Sequence, residues 1–76
     1  MKKEEWVKKF RFNLEARMRE SGLTMKELSV RSGLSISTIS RYLNEQTTPK
    51  LKAVINLSIA LNCDLEDLAD IHELIE

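Results

Sequence analysis

The residues best suited to do chemistry lie in one short stretch, "SISTISRYLN", which runs from Ser35 to Asn44. Its apolar residues Ile39, Tyr42 and Leu43 recur at i, i+3 and i+4, which predicts one buried helix face. The opposite face collects Ile36, Ser37, Ser40, Arg41 and Asn44. Hydroxyl groups donate and accept hydrogen bonds, and a guanidinium can donate two parallel bonds to a planar acceptor. The stretch therefore offers binding chemistry on a helix surface.

Groups that could support catalysis or metal binding are scarce elsewhere in the chain. The one histidine, His72, is separated from the one cysteine, Cys63, by a predicted helix start, and no glycine-rich phosphate loop occurs. A nucleophile–base pair or a metal site needs more ligands than these two. We expect no enzyme activity, no cofactor and no metal. Cys63 is interpreted as a small buried hydrophobic residue rather than a reactive thiol.

The chain is electrically neutral only as a whole. Its 76 residues include twelve Lys/Arg and twelve Asp/Glu. Residues 1–52 hold all twelve basic residues with six acidic ones, and residues 53–76 hold the other six acidic ones. This asymmetry indicates one end that meets a polyanion, although ordinary solvated surface accounts for the same counts about equally well.

The size and hydropathy of the chain indicate a single domain over residues 1–76. No segment approaches the roughly 20 apolar residues of a membrane span. No signal-peptide core follows the charged start. We therefore expect a soluble, cytoplasmic protein without membrane association.

The apolar periodicity is helical throughout and predicts an all-α bundle of five short helices. The first helix ends at Gly22 in a left-handed cap. A capping box formed by Thr24 and Glu27 opens the second helix. The apolar stripes of the first, fourth and fifth helices predict the core. The stripe of the first helix comprises Val7, Phe10, Leu14 and Met18, and that of the fourth comprises Leu51, Val54, Leu57, Ser58 and Leu61.

Helix-capping residues predict where the later helices begin. Ser35 is the expected N-cap of the third helix, which runs to about Leu43. Thr48 is the expected cap of the fourth helix, with Pro49 in its first turn. Asp64 is the expected cap of a fifth helix within "DLEDLADIHELIE".

The second and third helices form a helix-turn-helix candidate. Gly33 lies in the turn, where positive φ is needed and a β-carbon is expected to clash. Ser29 lies where a small side chain lets the two helices cross closely. The side chains expected between the helices and against the first helix are Leu28, Leu34, Ile39 and Tyr42.

The segment "GLTMKELSVRSGLSISTISRYLNEQTTPKLKAVINLSIALNCDLEDL" resembles the Cro and phage-repressor type of helix-turn-helix domain, the XRE-like transcriptional regulators. The shared shape is G-L-S-x-x-E-L-A, then G-V-S, T-I-S, a loop with proline, L-x-x-L-x-x-A-L and L-x-x-L. The resemblance covers roughly residues 14–68. It implies a lambda-repressor-like fold and a sequence-specific regulator of transcription, more often a repressor, encoded by a bacterium or phage.

In that family the third helix enters the major groove of double-stranded DNA with its N-terminal part against base edges. The resemblance therefore assigns base reading to Ile36, Ser37, Ser40 and Arg41. An arginine can make two hydrogen bonds to guanine, and an isoleucine can pack on a thymine methyl group. Contacts to phosphates are assigned to Lys26, Asn44, Gln46, Thr47, Thr48 and Lys50.

The chain departs from the family pattern at several positions. Met25 replaces a common glutamine, so one phosphate anchor is missing, and Lys26 is the candidate substitute. Met18 and Leu43 replace an arginine and a glutamate that form a partly buried ion pair in relatives, and such a paired replacement by apolar groups is often neutral or stabilising. Ser32 replaces a usual hydrophobic residue, and Glu45 a common glycine.

The resemblance also implies a homodimer on a palindromic operator, because one helix-turn-helix reads only about half a site. The expected interface lies in the C-terminal helix, from residue 66 or 67 to 76, through Leu68, Ile71, Leu74 and Ile75. Leu68 can equally close the core of its own subunit, together with Leu65. The alternative function is a protein-interaction module, such as an antitoxin or anti-repressor, which uses the same fold to bind a protein partner.

Overall fold

The computed structural model describes residues 2–69 and, within them, the side chains from residue 5 onward. The described residues form helices and connecting turns, with no strand among them. The helices are α1 (Lys2–Ser21), α2 (Met25–Ser32), α3 (Ile36–Leu43), α4 (Leu51–Leu61) and α5 (Leu65–Leu68). The predicted all-α fold of five helices is therefore confirmed, and α2 and α3 are the predicted helix-turn-helix pair.

One hydrophobic core joins the helices. Trp6, Phe10 and Leu14 of α1 are buried at its centre, and Val7 and Met18 pack at its edge. Buried apolar residues from the other helices meet them: Leu28, Ile39, Tyr42, Val54, Leu57, Ala60, Leu61 and Leu68. The predicted stripe of α1 is confirmed, and Trp6 is buried beside it.

Local signals set the ends of the first two helices as predicted. Gly22 follows α1 with φ of 70°. The Thr24 hydroxyl accepts a hydrogen bond from the Glu27 amide at 3.1 Å, and the Glu27 carboxylate accepts one from the Thr24 amide at 2.9 Å. This reciprocal capping box satisfies two amide groups that the first turn of α2 leaves without helical partners.

The turn between α2 and α3 is held by two serines. Gly33 has φ of 78°, as predicted, but a β-carbon there would meet no atom within 4 Å, so the expected clash is wrong. The requirement for glycine is the backbone angle alone. The Ser29 hydroxyl donates to the Leu34 carbonyl at 2.5 Å, and the buried Ser32 hydroxyl accepts from the Leu34 amide at 3.2 Å. These bonds explain how a serine replaces an apolar residue at position 32.

The fourth helix begins later than predicted. Its N-cap is Lys50, in extended conformation, rather than Thr48, and Pro49 precedes the helix instead of lying in its first turn. Pro49 is buried and precedes the cap, and Val54 follows it by five residues, so the two occupy the N′ and N4 positions of a hydrophobic staple. Leu51, at the edge of the inner face, is 37% exposed, so its predicted burial is wrong.

The last described helix, α5, docks its end on α1. The Asn13 side-chain amide donates to the Leu68 carbonyl at 3.1 Å, and the Leu68 side chain is fully buried. Leu68 therefore belongs to the core of its own chain, which corrects its assignment to a dimer interface. The other residues of that interface, Ile71, Leu74 and Ile75, lie outside the described residues. Among those described, no helix has the length and apolar content to cross a membrane.

Candidate nucleic-acid interface

The helix α3 is anchored by its inner face. Ile39 is fully buried and Tyr42 is 6% exposed. The Ser35 hydroxyl caps the helix by accepting from the Thr38 amide at 3.1 Å, as predicted. Because the inner side chains are locked in the core, the outer face has a fixed orientation relative to the rest of the domain.

The outer face of α3 presents the candidate base readers. Ile36 is 44% exposed, and Ser37 and Arg41 are exposed. Ser40 is half-buried, and its hydroxyl accepts a hydrogen bond from the Asn44 side chain at 3.3 Å. Small side chains on this face would let the helix backbone approach a flat or grooved ligand closely.

The chain after α3 turns sharply and exposes polar side chains. The Gln46 amide donates to the Arg41 carbonyl at 2.8 Å, and the Glu45 amide donates to the Tyr42 carbonyl at 3.1 Å. These two bonds form a Schellman motif with Glu45 in the left-handed conformation, at φ of 59°. The exposed polar side chains around this turn are Asn44, Gln46, Thr47 and Thr48.

The surface charge around the helix-turn-helix is strongly positive. Five basic side chains lie between residues 24 and 52: Lys26, Arg31, Arg41, Lys50 and Lys52. All five are exposed, and the ion pairs formed within the described residues involve none of them. The two acidic residues of that segment, Glu27 and Glu45, are both held by hydrogen bonds. This segment can therefore attract a polyanion.

The start of α2 is a further polar surface beside α3. Lys26 is exposed and Met25 is 36% exposed. The hydrogen bonds from Thr24 hold the pKa of the Glu27 carboxyl below its usual value. Glu27 therefore stays ionised at neutral pH and is committed to capping the helix, which leaves Lys26 as the cation of this turn.

A contact between side chains that are distant in sequence connects α1 to the turn after α3. The Arg11 Nε donates to the Glu45 carboxylate at 2.8 Å. The two residues lie 34 positions apart, and neither belongs to a recognisable sequence motif. Only the use of glutamate at a position that favours glycine hinted that Glu45 has a particular partner.

Cys63 and the acidic side chains show no sign of a reactive centre. Cys63 is a half-buried free thiol that packs against the core, and burial raises its pKa. A higher pKa lowers the fraction of thiolate, which is the nucleophilic form. Within residues 5–69, no three His, Cys, Asp or Glu side chains cluster in a way that could hold a metal ion.

Comparison with known proteins gives two matches. A family model described as "Helix-turn-helix" matches residues 14–68. The crystal structure of the restriction-modification controller protein C.AhdI from Aeromonas hydrophila matches with a TM-score of 0.78 and 26% identity, over 82% of this chain and 94% of that chain. A search of curated protein sequences finds no match. The family match runs from the later part of α1 to α5 and includes every candidate base-reading and phosphate-contacting residue.

Proposed function

The chain belongs to the helix-turn-helix family and is a DNA-binding transcriptional regulator, and we propose that it reads a specific double-stranded sequence by placing α3 in the major groove. The observation that carries this proposal is the division of α3 into a locked inner face and an exposed outer face. A major groove about 12 Å wide admits a helix. The small side chains of the outer face let the helix approach the base edges.

Each candidate base reader has a chemically distinct role in this proposal. Arg41 donates two hydrogen bonds to the O6 and N7 atoms of a guanine. Ile36 packs against a thymine methyl group, and Ser37 donates to or accepts from a neighbouring base. Ser40 is shielded by its bond with Asn44, so it serves mainly as a small surface that lets the groove come close.

The phosphate contacts fix the register of α3 without reading sequence. Asn44, Gln46, Thr47 and Thr48 present amide and hydroxyl groups after α3, and Lys50 adds a positive charge. Lys26 takes the place of the glutamine that relatives carry one residue earlier. Because none of the ion pairs among the described residues engages Lys26 or Lys50, both charges are available to a phosphate.

A second copy of the chain completes the site. Two helix-turn-helix units joined by a two-fold axis span about 34 Å of duplex, which is one helical turn, so we infer a palindromic operator. The proposed interface is the C-terminal segment with Ile71, Leu74 and Ile75. Such a dimer placed across a promoter excludes other proteins from it, which makes repression the proposed outcome. The alternative of a dedicated protein-binding module is not favoured by the two matches.

A selection from random duplex oligonucleotides, followed by sequencing, tests the proposal directly. We expect an enriched palindrome whose half-sites lie one helical turn apart, with a guanine at one position of each half-site. Recovery of sequences without any shared motif would contradict sequence-specific reading. Recovery of a single, unrepeated half-site would leave the base readers in place and contradict the dimer.

A further inference from the structure

A partly buried ion pair joins Arg11 of α1 to Glu45, which lies in the turn after α3. The Arg11 Nε lies 2.8 Å from Glu45 Oε2, and the two side chains are 31% and 29% exposed. The same guanidinium donates through Nη1 to Glu15 at 2.8 Å, on its own helix. Arg11 thus bridges two carboxylates with separate nitrogens, which the single ammonium of a lysine cannot do in one fixed geometry.

The backbone at Glu45 gives this ion pair its importance. Glu45 holds the left-handed position of the Schellman motif at φ of 59°, where glycine has no steric penalty and a residue with a β-carbon has one. The next residue, Gln46, closes the motif with its 2.8 Å bond to Arg41. The turn that presents Asn44, Gln46 and Thr47 is therefore strained at the backbone of Glu45. The ion pair with Arg11 stabilises it from α1.

The charge of Glu45 makes an external partner necessary for a second reason. Its neighbours Asn44 and Gln46 are candidate phosphate contacts, and an unpaired carboxylate between them would repel the DNA backbone. The arginine neutralises that carboxylate and turns it away toward α1. Among the described side chains, α1 forms two further ion pairs, from Arg17 to Glu20 and to Asp67, and neither involves α3 or the turn after it.

From these observations we propose that Arg11 and Glu45 are positioning residues that hold the phosphate-facing turn from Asn44 to Thr48 in its DNA-binding conformation, without touching DNA themselves. The inference rests on the proposed docking of α3. The ion pair joins α1 to the turn beyond α3, so it acts on the turn rather than on the body of the helix.

The test compares the wild type with the double variant R11M/E45Q. The double variant keeps the net charge, because one cation and one anion are removed together, and glutamine keeps a β-carbon at the left-handed position, so the backbone strain stays while the ion pair is lost. A matched control, R17M/E20Q, removes both ion pairs of Arg17, which lie away from the turn, and also keeps the net charge. Each protein is measured for melting temperature, for affinity to the selected operator and to random duplex over a salt series, and for amide hydrogen exchange.

We expect R11M/E45Q to melt within about 5 °C of the wild type and to bind both duplexes about 2- to 5-fold more weakly. The loss should be equal on both, because the turn contacts phosphates and not bases. The slope of log affinity against log salt should not change. The Gln46 amide should exchange faster than in the wild type, since its bond to Arg41 opens more often. The control variant should match the wild type in affinity.

Four results would overturn the inference: wild-type affinity in R11M/E45Q, an unchanged exchange rate at Gln46, an equal affinity loss in the control, or a salt slope shallower by about one. The last would make Arg11 a direct phosphate contact. A wild-type protein that binds no duplex would overturn the proposed function together with this inference. A wild type that binds its operator, with a double variant that binds it equally well, would overturn only the positioning role.

Discussion

The rings of Phe10 and Tyr42 meet edge to face, with centroids 5.7 Å apart and planes at 83°. Phe10 also stacks on Trp6, with centroids 6.0 Å apart. This row of three aromatic side chains joins the middle of α1 to the inner face of α3. The helix α3 is therefore fixed to α1 by this aromatic contact, on which the orientation of α3 toward DNA depends in the proposed function.

Replacing Tyr42 by leucine should lower the free energy of unfolding by about 1–2 kcal/mol. The aromatic pair is lost, and leucine leaves part of the ring volume empty. Urea denaturation measures the change. Phe12→Leu is the matched control, because Phe12 is 63% exposed and its replacement should change stability by less than about 0.5 kcal/mol. Equal losses in the two variants would contradict the anchoring role of Tyr42.

Arg41 should carry sequence discrimination. Arg41→Ala should weaken binding to the selected operator by about 1–3 kcal/mol and relax the preference at one base pair of each half-site, because two hydrogen bonds to one guanine are lost. Binding titrations on the operator and on single-base variants measure both effects. A loss of the same size on operator and random duplex would show that Arg41 contacts the backbone instead.

Lys50 should carry general affinity and no discrimination. Lys50→Ala should weaken binding to every duplex by a similar factor, and the salt dependence should become shallower by at most about one unit. The salt series on operator and random duplex tests this. A loss confined to the operator would assign Lys50 to base reading, which its place at the N-cap of α4 gives no reason to expect.

Met18 and Leu43 should contact each other across α1 and α3. Both side chains are partly buried and pack against the same core. Met18→Arg alone should destabilise the fold by about 1–3 kcal/mol, because a charge is moved to a site without a partner. Adding Leu43→Glu should recover part of that loss. A double-mutant cycle measures the coupling, and a coupling energy near zero would mean that the two positions do not touch.

The features that could be predicted from sequence are those with local causes. Gly22, Gly33 and the Thr24–Glu27 capping box each act within about one helical turn, so residue type alone placed them correctly. The apolar stripes predicted the core for the same reason, since the helical period needs no knowledge of the partner. These local signals were enough to define the fold and the outer face of α3.

The features that could not be predicted depend on contacts between distant segments. The bond between Arg11 and Glu45 spans 34 positions and has no periodic signature. The N-cap of α4 is Lys50 and not the predicted Thr48. Pro49, which is buried in the tertiary structure, precedes the helix. Leu68 could serve the core or an interface by sequence, and only the packing of α5 on α1 decides between them.

The capping box should make stability depend on pH in the acidic range. The pKa of Glu27 is lowered from its ordinary value of 4.5 by the hydrogen bonds from Thr24. The contribution of the Glu27 carboxylate to the free energy of unfolding is therefore fully present at pH values above 4.5. It is lost as the pH falls through the lower pKa of the folded state. The glutamine of Glu27→Gln has no carboxyl to titrate. The difference in unfolding free energy between wild type and variant should shrink as pH falls from about 7 to about 3.

This comparison isolates one carboxylate, because all other acidic groups are shared by the two proteins. Urea denaturation at a series of pH values gives the difference directly. A difference that stays constant across the range would mean that Glu27 has the same pKa in the folded and unfolded chains. In that case the capping box would stabilise α2 by hydrogen bonding that does not depend on ionisation.

The final prediction concerns the proposed dimer. The truncated chain that ends after Asp70 lacks Ile71, Leu74 and Ile75 but keeps every core residue of α1 to α5, including the buried Leu68. It should remain folded, sediment as a monomer, and bind the operator much more weakly than the full chain. The reason is that each copy then binds its half-site without the second copy held beside it.

An exposed apolar stripe on α4 supplies the control for that experiment. Leu51, Ile55 and Ile59 recur at i, i+4 and i+8 on α4 and are 37%, 36% and 72% exposed. Ile59→Asp in the full chain should leave the dimer intact if the C-terminal residues form the interface. A truncated chain that stays dimeric, together with a monomeric Ile59→Asp variant, would move the interface to α4. A full chain that stays monomeric even on its operator would remove the dimer from the proposed function.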